Sequence, residues 1–476
     1  MRRILLILVA ARVLTAQSGP EIRAAIDRAM PPIERSAASF VAKRACVSCH
    51  HNILPVLLAD VAREHGVSFD AAVLASVESK TFRPLSDPQA FAEINDPTPN
   101  DSFLLMAAHA AGVAPNNVTA AYARRLIQWQ RADGHWVTSD FRPPHSSSYF
   151  TATASAVRAI QDYAPEERDC LGRAREWLVR TKPASTEDAS FRVMGLVWAG
   201  AAKSKIENAA RDLLAMRDAS GAWPELPGYT PDAYSTGESL FALHQAGLAA
   251  SDRAYRFLLS TQASDGTWRV HTRMLSPAEV SPPYFTTGFP YEKDEYLSYA
   301  GTVWATMALL AALPQAPASR PVMTIPSASL PEMKDTLKIA AMRGDIDAVR
   351  KCLANGAEPS AEALSQAVTF GYPELVRLLI DAGAPAKMTE SSGINLLHWA
   401  AIANRPSVIP VLVKAGVPVN AKDKSEYTPL MYAATIDFGD RAVYKALLRA
   451  GADPNIRNAD GRTAPEQAKI FLKSKN

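Results

Sequence analysis

Cysteine is scarce in this chain, four among 476 residues, which excludes a disulfide-dense scaffold. An excess of one charge is missing too: 51 Lys and Arg against 48 Asp and Glu leave +3, with no basic footprint for nucleic acid. Beyond the N-terminal stretch no apolar run is long enough to cross a bilayer, so no transmembrane span is expected. There is no Gly-rich phosphate loop and no Ser-His-Asp context. Aromatics make up only 8%, yet 48% of the residues are hydrophobic, enough to bury sizeable cores. At ~100–200 residues per domain, the length suggests about two to four domains.

What is present begins at the N-terminus. Met1-Arg2-Arg3 is a basic start, Ile4 to Ala11 an apolar stretch, and Leu14-Thr15-Ala16 a small-residue exit. That pattern predicts a secretory signal peptide over residues 1–16, cleaved after Ala16, and hence an exported, periplasmic protein. Arg12 is unusual in such a stretch, and a buried N-terminal helix is the competing reading. No cysteine follows the stretch, so no lipid anchor is indicated.

Residues 21–66 read as a helical segment holding Cys46-Val47-Ser48-Cys49-His50. C-x-x-C-H is the attachment signature of haem c. Two thiols at this spacing can add to the two vinyl groups, and His50 then lies under the iron as axial ligand. Covalent attachment happens outside the cytoplasm, in agreement with an export signal. A small disulfide, half of a zinc site and a thioredoxin-like redox pair remain open for Cys46 and Cys49. The sequence nominates no sixth ligand.

A helix, a Gly turn and a Trp recur three times. Arg253 to Trp268 carries Gln262, Gly266 and Trp268; Ala123 to Trp136 carries Gln130, Gly134 and Trp136. Ala209 to Trp223 keeps Gly221 and Trp223 but has Arg217 at the Gln position. Spaced copies of one unit mean an internal repeat. These turns resemble the QW repeats of the squalene–hopene cyclase and terpenoid cyclase superfamily. The resemblance implies an all-α chain with an α/α toroid over residues 54–313, in which each Gln and Trp ties an outer helix to the next inner one. The run from Gly288 to Leu310 is also similar to a family of exported bacterial proteins that join C-x-x-C-H to such a domain, with no established reaction.

The helical periods agree with six hairpins. Inner helices, apolar nearly all round, are predicted near 54–65, 101–111, 149–162, 188–201, 234–246 and 297–313. Outer helices are predicted near 69–80, 118–130, 169–181, 206–216 and 252–261, the sixth being missing or supplied by the N-terminus. Pro31-Pro32 should break the helix there. The Pro-rich loops after each Trp should gather at one rim, the candidate binding site. Tyr149, Phe150, Trp198, Tyr234, Phe241, Tyr299 and Trp304 could line a cavity for an apolar ligand or simply fill the core.

The resemblance also sets a catalytic test. A cyclase of this kind protonates its substrate with an Asp of D-x-D-D, kept protonated in an apolar cavity. No D-x-D-D occurs here, so cyclase activity is not expected. Glu187-Asp188 and Glu238 fit capping boxes at helix starts. Asp294 and Glu295, on the rim loop, are the one acidic pair with a claim to catalysis.

Residues 314–331 are rich in Pro, Ser and Ala and predict a linker. From 332 to 474 the period changes. Asn355-Gly356-Ala357, Ala382-Gly383-Ala384, Ala415-Gly416-Val417 and Ala450-Gly451-Ala452 close successive helix pairs, and Thr428-Pro429-Leu430 and Asn395-Leu396-Leu397-His398 sit where T-P-L-H is expected. This resembles ankyrin repeats: four, with a partial cap at 461–471. The resemblance implies a scaffold that binds a protein partner. Taken together, the sequence predicts an exported, non-cyclising toroid and ankyrin scaffold with a c-type haem, serving electron transfer or redox sensing. A divergent lipid-acting enzyme and a cofactor-free interaction module are the alternatives.

Overall fold

A computed structural model describes residues 18–44, 50–92, 96–145, 147–274, 286–319, 321–330 and 336–473. The signal-peptide expectation, Cys46 and Cys49 lie outside them. The chain is helical, and the described residues contain only isolated β-bridges, no strands. The N-terminal part begins with α1 (Ser18–Lys43), α2 (His50–Glu64), α3 (Ala71–Thr81) and the short α4 (Arg83–Ser86) and α5 (Pro88–Ala92). Then come α6 (Pro97–Ala110), α7 (Asn117–Gln128), α8 (Tyr149–Tyr163), α9 (Arg168–Arg180) and α10 (Thr186–Trp198). It ends with α11 (Lys203–Ala215), α12 (Ala233–Gln245), α13 (Asp252–Thr261) and α14 (Glu295–Ala311). Side-chain oxygens start many of them: Asp70, Asn116, Ser148, Ser185, Asp232 and Ser251 accept from first-turn N–H groups that would otherwise be orphaned.

Six helices form an inner set. α2 packs on α6, α6 on α8, α8 on α10, α10 on α12, α12 on α14, and α14 returns to α2. α12 and α14 cross closely because Gly237 lies against the backbone of Trp304 and Ala305, where a Cβ would sit 2.5 Å from Ala305 N. Outside them, α3, α7, α9, α11 and α13 each pack on the inner helix that precedes them in the chain. α1 packs on α14, α2, α3 and α13, which makes it the outer partner of α14.

α1 runs unbroken through Pro31 and Pro32, contrary to the expected break. A helical Pro removes one N–H and frees the carbonyl four residues back. The carbonyl that Pro32 frees, that of Arg28, faces the turn after α13: a Cβ on Gly266 would lie 2.0 Å from Arg28 O. The neighbouring turn occupies the space beside that gap.

The segment expected as a linker is a strap. Ala316 N donates to Glu64 O, Met323 N to Gly112 O, and Asn116 and Asn117 amides donate to Ile325 O and Ala328 O at 2.8 and 2.6 Å. Ile325 is buried against the α6–α8 core.

Four helix pairs follow: α15 (Leu337–Arg343) with α16 (Ile346–Ala354), α17 (Ala361–Phe370) with α18 (Pro373–Asp381), α19 (Leu396–Ile402) with α20 (Ile409–Lys414), and α21 (Pro429–Thr435) with α22 (Ala442–Arg449). α23 (Ala464–Lys473) caps the stack on α21. These pairs stand on the end of the N-terminal part where α8, α10 and α12 begin. Arg131 donates to Arg343 O at 2.9 Å and lies over the Tyr372 ring. Arg405 donates to Tyr149 Oη at 2.6 Å, to Thr369 O at 2.7 Å and to Thr138 O. Asp437 N donates to Arg273 O at 2.9 Å, and Tyr229 Oη to the Asp437 carboxylate. All these contacts come from the turn inside each pair; the loops between pairs point away.

Candidate functional site

The Trp turns are built alike. Trp136, Trp223 and Trp268 are fully buried, and their Nε1–H groups donate to Leu126 O, Leu213 O and Leu258 O, the carbonyls ten residues back, at 2.7, 2.8 and 2.9 Å. Their backbone N–H groups each donate at 3.1 Å to a threonine on the next inner helix: Thr153, Thr236 and Thr302. Gln130 Nε2 donates to Gly134 O and to Cys170 O on α9; Gln262 Nε2 donates to Gly266 O and to Ala25 O on α1. Arg217, lacking the amide, donates to Leu214 O and lies over the Trp223 ring. Gly134 and Gly266 have φ of +103° and +89°, and a Cβ on Gly134 would be 2.2 Å from Arg173 O, so each turn needs glycine twice over.

Asp294 and Glu295 are taken up by structure. Asp294 accepts from Arg269, from His271 Nδ1 at 3.0 Å and from Thr272 N at 2.9 Å, pinning the segment after Trp268 to the start of α14. Glu295 accepts from Thr286 N, Thr287 N and the Thr287 hydroxyl. Neither offers an idle carboxyl for chemistry.

The acids that sequence reasoning passed over are elsewhere. Ser185 does cap α10 through Asp188 N, with Asp188 returning to Ala184 N, but Glu187 beside it turns inward. It accepts from Thr151 Oγ1 at 2.7 Å and Tyr234 Oη at 3.0 Å. α12 is capped by Asp232, so Glu238 has no capping role: it is 0% exposed, and its carboxyl faces that of Glu187. Burial, then repulsion from other carboxylates, pushes Glu187 and Glu238 well above the usual carboxylate range. Two buried carboxyls in each other's field do not both ionise, so a proton stays on the pair. Glu225, from the loop before α12, accepts from Arg273 Nη1 at 3.2 Å and from Ser235 Oγ at 3.1 Å. Burial raises Glu225 to about 7 against the pull of Arg273, and raises Asp232 to about 6. Glu225 and Arg273 lie in loops outside any periodic pattern, and only three-dimensional closure brings them beside Glu187. The one available signal was Glu238 inside an otherwise small and apolar inner helix.

Imidazoles line the same interior. His145 Nδ1 is 3.4 Å from Tyr234 Oη, and burial lowers the His145 pKa to about 4. His50, at the first residue of α2, sits among His51, Tyr296, His145 and Phe40, with ring centroids at 4.3, 4.2, 5.8 and 6.2 Å. His51 stacks on Tyr299 at 3.7 Å, and its Nε2 lies 3.1 Å from Ser36 Oγ. Burial and the adjoining imidazoles lower the His50 pKa well below its ordinary value, so the ring is neutral, the form that ligates iron. Its Nε2 nevertheless lies 2.5 Å from His51 Nδ1. The donor chemistry suits a haem iron, whereas the space beside that nitrogen is held by His51. Among the described residues no three His, Cys, Asp or Glu side chains converge closely enough to hold a metal ion.

Of the aromatics singled out, Phe150, Tyr234, Phe241, Tyr299 and Trp304 are buried, while Tyr149 and Trp198 are half-buried. Trp304 packs between Phe191 and Phe241, and its Nε1–H and the Tyr299 hydroxyl have no partner among the described residues.

The helix pairs after residue 336 have clear relatives. The family model described as ankyrin repeats (three copies) matches residues 337–423 and 364–458. The chain is similar to a putative ankyrin repeat-containing protein of Treponema pallidum (strain Nichols), 38% identical over 98 residues, 20% of this chain and 32% of that one. It is similar to ankyrin repeat and SOCS box protein 16 of Homo sapiens, 35% identical over 142 residues, 28% of this chain and 31% of the relative. Palmitoyltransferase Hip14 of Drosophila melanogaster is 36% identical over 97 residues, 20% of this chain and 15% of its own. The chain thus spans about a third or less of each relative's length. The C-terminal region carries ankyrin repeats, the architecture of a protein-interaction scaffold. No described helix is long and apolar enough to cross a membrane.

Proposed function

We propose that the protein is an exported, non-cyclising α/α toroid of the squalene–hopene-cyclase-like kind that presents an ankyrin array to a protein partner. The returning contacts of the six inner helices and the three matching Trp turns support the toroid. The observation that carries the binding role is the direction of the array. Its within-pair turns are spent on the toroid rim, while the between-pair loops stay exposed, with Lys387, Lys422, Lys424 and Asp453 on them. Replacing Lys387 and Lys424 by Glu should abolish cross-linking to the envelope protein that the parent retains, at unchanged melting temperature. A variant that retains the same partner as well as the parent does would end this reading. Export is tested by fractionation, with a mature N-terminus at Gln17 as the expected result.

A covalent c-type haem on Cys46 and Cys49 is a second reading, supported by the neutral His50 in its aromatic surround. It requires His51 to turn away. A Soret band that survives denaturation and disappears in Cys46→Ala/Cys49→Ala would establish it and add electron transfer or redox sensing; a colourless protein from a haem-c-competent host would remove it. A lipid-acting enzyme would find a protonated acid in the Glu187–Glu238 pair, on α10 and α12, the latter also carrying Phe241, which packs on Trp304.

A further inference from the structure

One arginine belongs to both sides of the junction between the N-terminal helices and the ankyrin repeats. Arg273 donates Nη1 to Glu225 at 3.2 Å, while its carbonyl accepts from Asp437 N at 2.9 Å. Met274 beside it forms an antiparallel bridge with Ile436. Tyr229, whose ring lies 6.0 Å from the Arg273 guanidinium, donates to the Asp437 carboxylate. A cleft of about 370 Å³ runs beside this contact, with Glu225 and Arg273 on one wall and Asn404, Arg405 and Phe438 on the other. The side chain that steadies Glu225 and the main chain that carries the array are thus one residue.

Glu225 is 3% exposed, and its pairing with Arg273 is a single contact, since Arg273 Nε has no partner among the described residues. One such bond does not offset the cost of taking a carboxylate out of water. The other charges facing it from the N-terminal helices are acids, Glu187 and Asp188 on α10 and Asp232 and Glu238 about α12. Across the cleft, Arg405 spends its donors on Tyr149 Oη, Thr138 O and Thr369 O, and Asp437 and Asp440 are acids as well. The closed junction therefore holds Glu225 more easily with a proton than without one, and parting the walls returns it to water.

We propose that this junction is a pH-sensitive latch, closed while Glu225 carries its proton and released when Glu225 ionises. Burial, against the pull of Arg273, raises Glu225 to about 7 in the closed form. The closed form binds the extra proton, so its advantage is complete below about pH 4.5 and is lost as the pH rises through 7. The latch sets how firmly the array stands, whichever partner the array takes.

Hydrogen exchange of the full-length protein tests it, read on peptides spanning 436–439 and corrected for the intrinsic pH dependence of exchange. Between pH 6 and 8 the protection of this segment should fall about 10-fold in the parent, as expected for one carboxyl moving from about 7 to about 4.5 on opening. In Glu225→Gln the fall should be about 2-fold or less. Asp232→Asn keeps a capping residue on α12 and removes a facing negative charge, so it should move the fall to lower pH. Equal pH dependence in the parent and Glu225→Gln, protection that rises with pH, or an unmoved fall in Asp232→Asn would each overturn the proposal. Protection at 436–439 as high as that inside α12 would overturn it too, because the junction would then open only by unfolding.

Discussion

Glu225 shows how a single side chain sets a pH dependence. Its folded pKa, about 7, stands above that of an ordinary carboxyl, so folding favours its protonated form. That contribution is present in full below about pH 4.5 and is lost as the pH rises through 7; Asp232, at about 6, acts in the same direction. Buried His50, His51 and His145, with lowered pKa values, act in the opposite sense below about pH 6.5, so the test is the difference between Glu225→Gln and the parent. The parent should lose up to about 3 kcal/mol more than Glu225→Gln as the pH rises from 5 to 8. Equal pH dependence of the two melting temperatures would contradict the assignment. Glu225 was invisible in the sequence because its environment is made by residues from distant loops. Glu238 was misread for the opposite reason: Ser235-Thr236-Gly237-Glu238 has the letters of a cap, but Asp232 three residues earlier is the group that reaches the orphaned N–H.

At the scale of the element, the sequence was far more legible. Gln, Gly and Trp at fixed spacing encode a local device, and each inner helix predicted from its small, apolar face lies within a few residues of where the structure places it. Trp268→Phe removes the donor to Leu258 O and should cost about 1–3 kcal/mol, since that carbonyl stays buried. Trp268→Ala should cost about 3–5 kcal/mol. Gly266→Ala should destabilise as well, its φ of +89° and the Arg28 carbonyl both opposing a Cβ. Denaturant unfolding of the three variants checks the order. Pro31-Pro32 misled because a proline pair signals a break locally, and whether the helix survives depends on what tertiary neighbour covers the freed carbonyls. The linker misled in the same way, its composition saying nothing of the Asn116 and Asn117 amides that hold it.

For the whole molecule, the unexpected feature is that the ankyrin repeats stand on one end of the N-terminal helices and are not tethered loosely beside them. Arg405 is the clasp, buried and bonded to both halves. Arg405→Ala should cost about 2–4 kcal/mol, leaving Tyr149 Oη and the Thr138 and Thr369 carbonyls short of a donor. It should also split one calorimetric transition into two. A single, unshifted transition in the variant would mean that the two halves do not depend on this contact.

The placement of α1 has a kinetic consequence. Gln262 reaches back 237 positions to Ala25 O, so the first helix made is the last needed. Contacts that distant form slowly. Until α13 and α14 arrive, the stripe of Ile22, Ile26 and Ile33 is covered only in part, by α2 and α3, and a half-made chain is both open and sticky. The circuit of inner helices therefore cannot close before its own C-terminal members have been made.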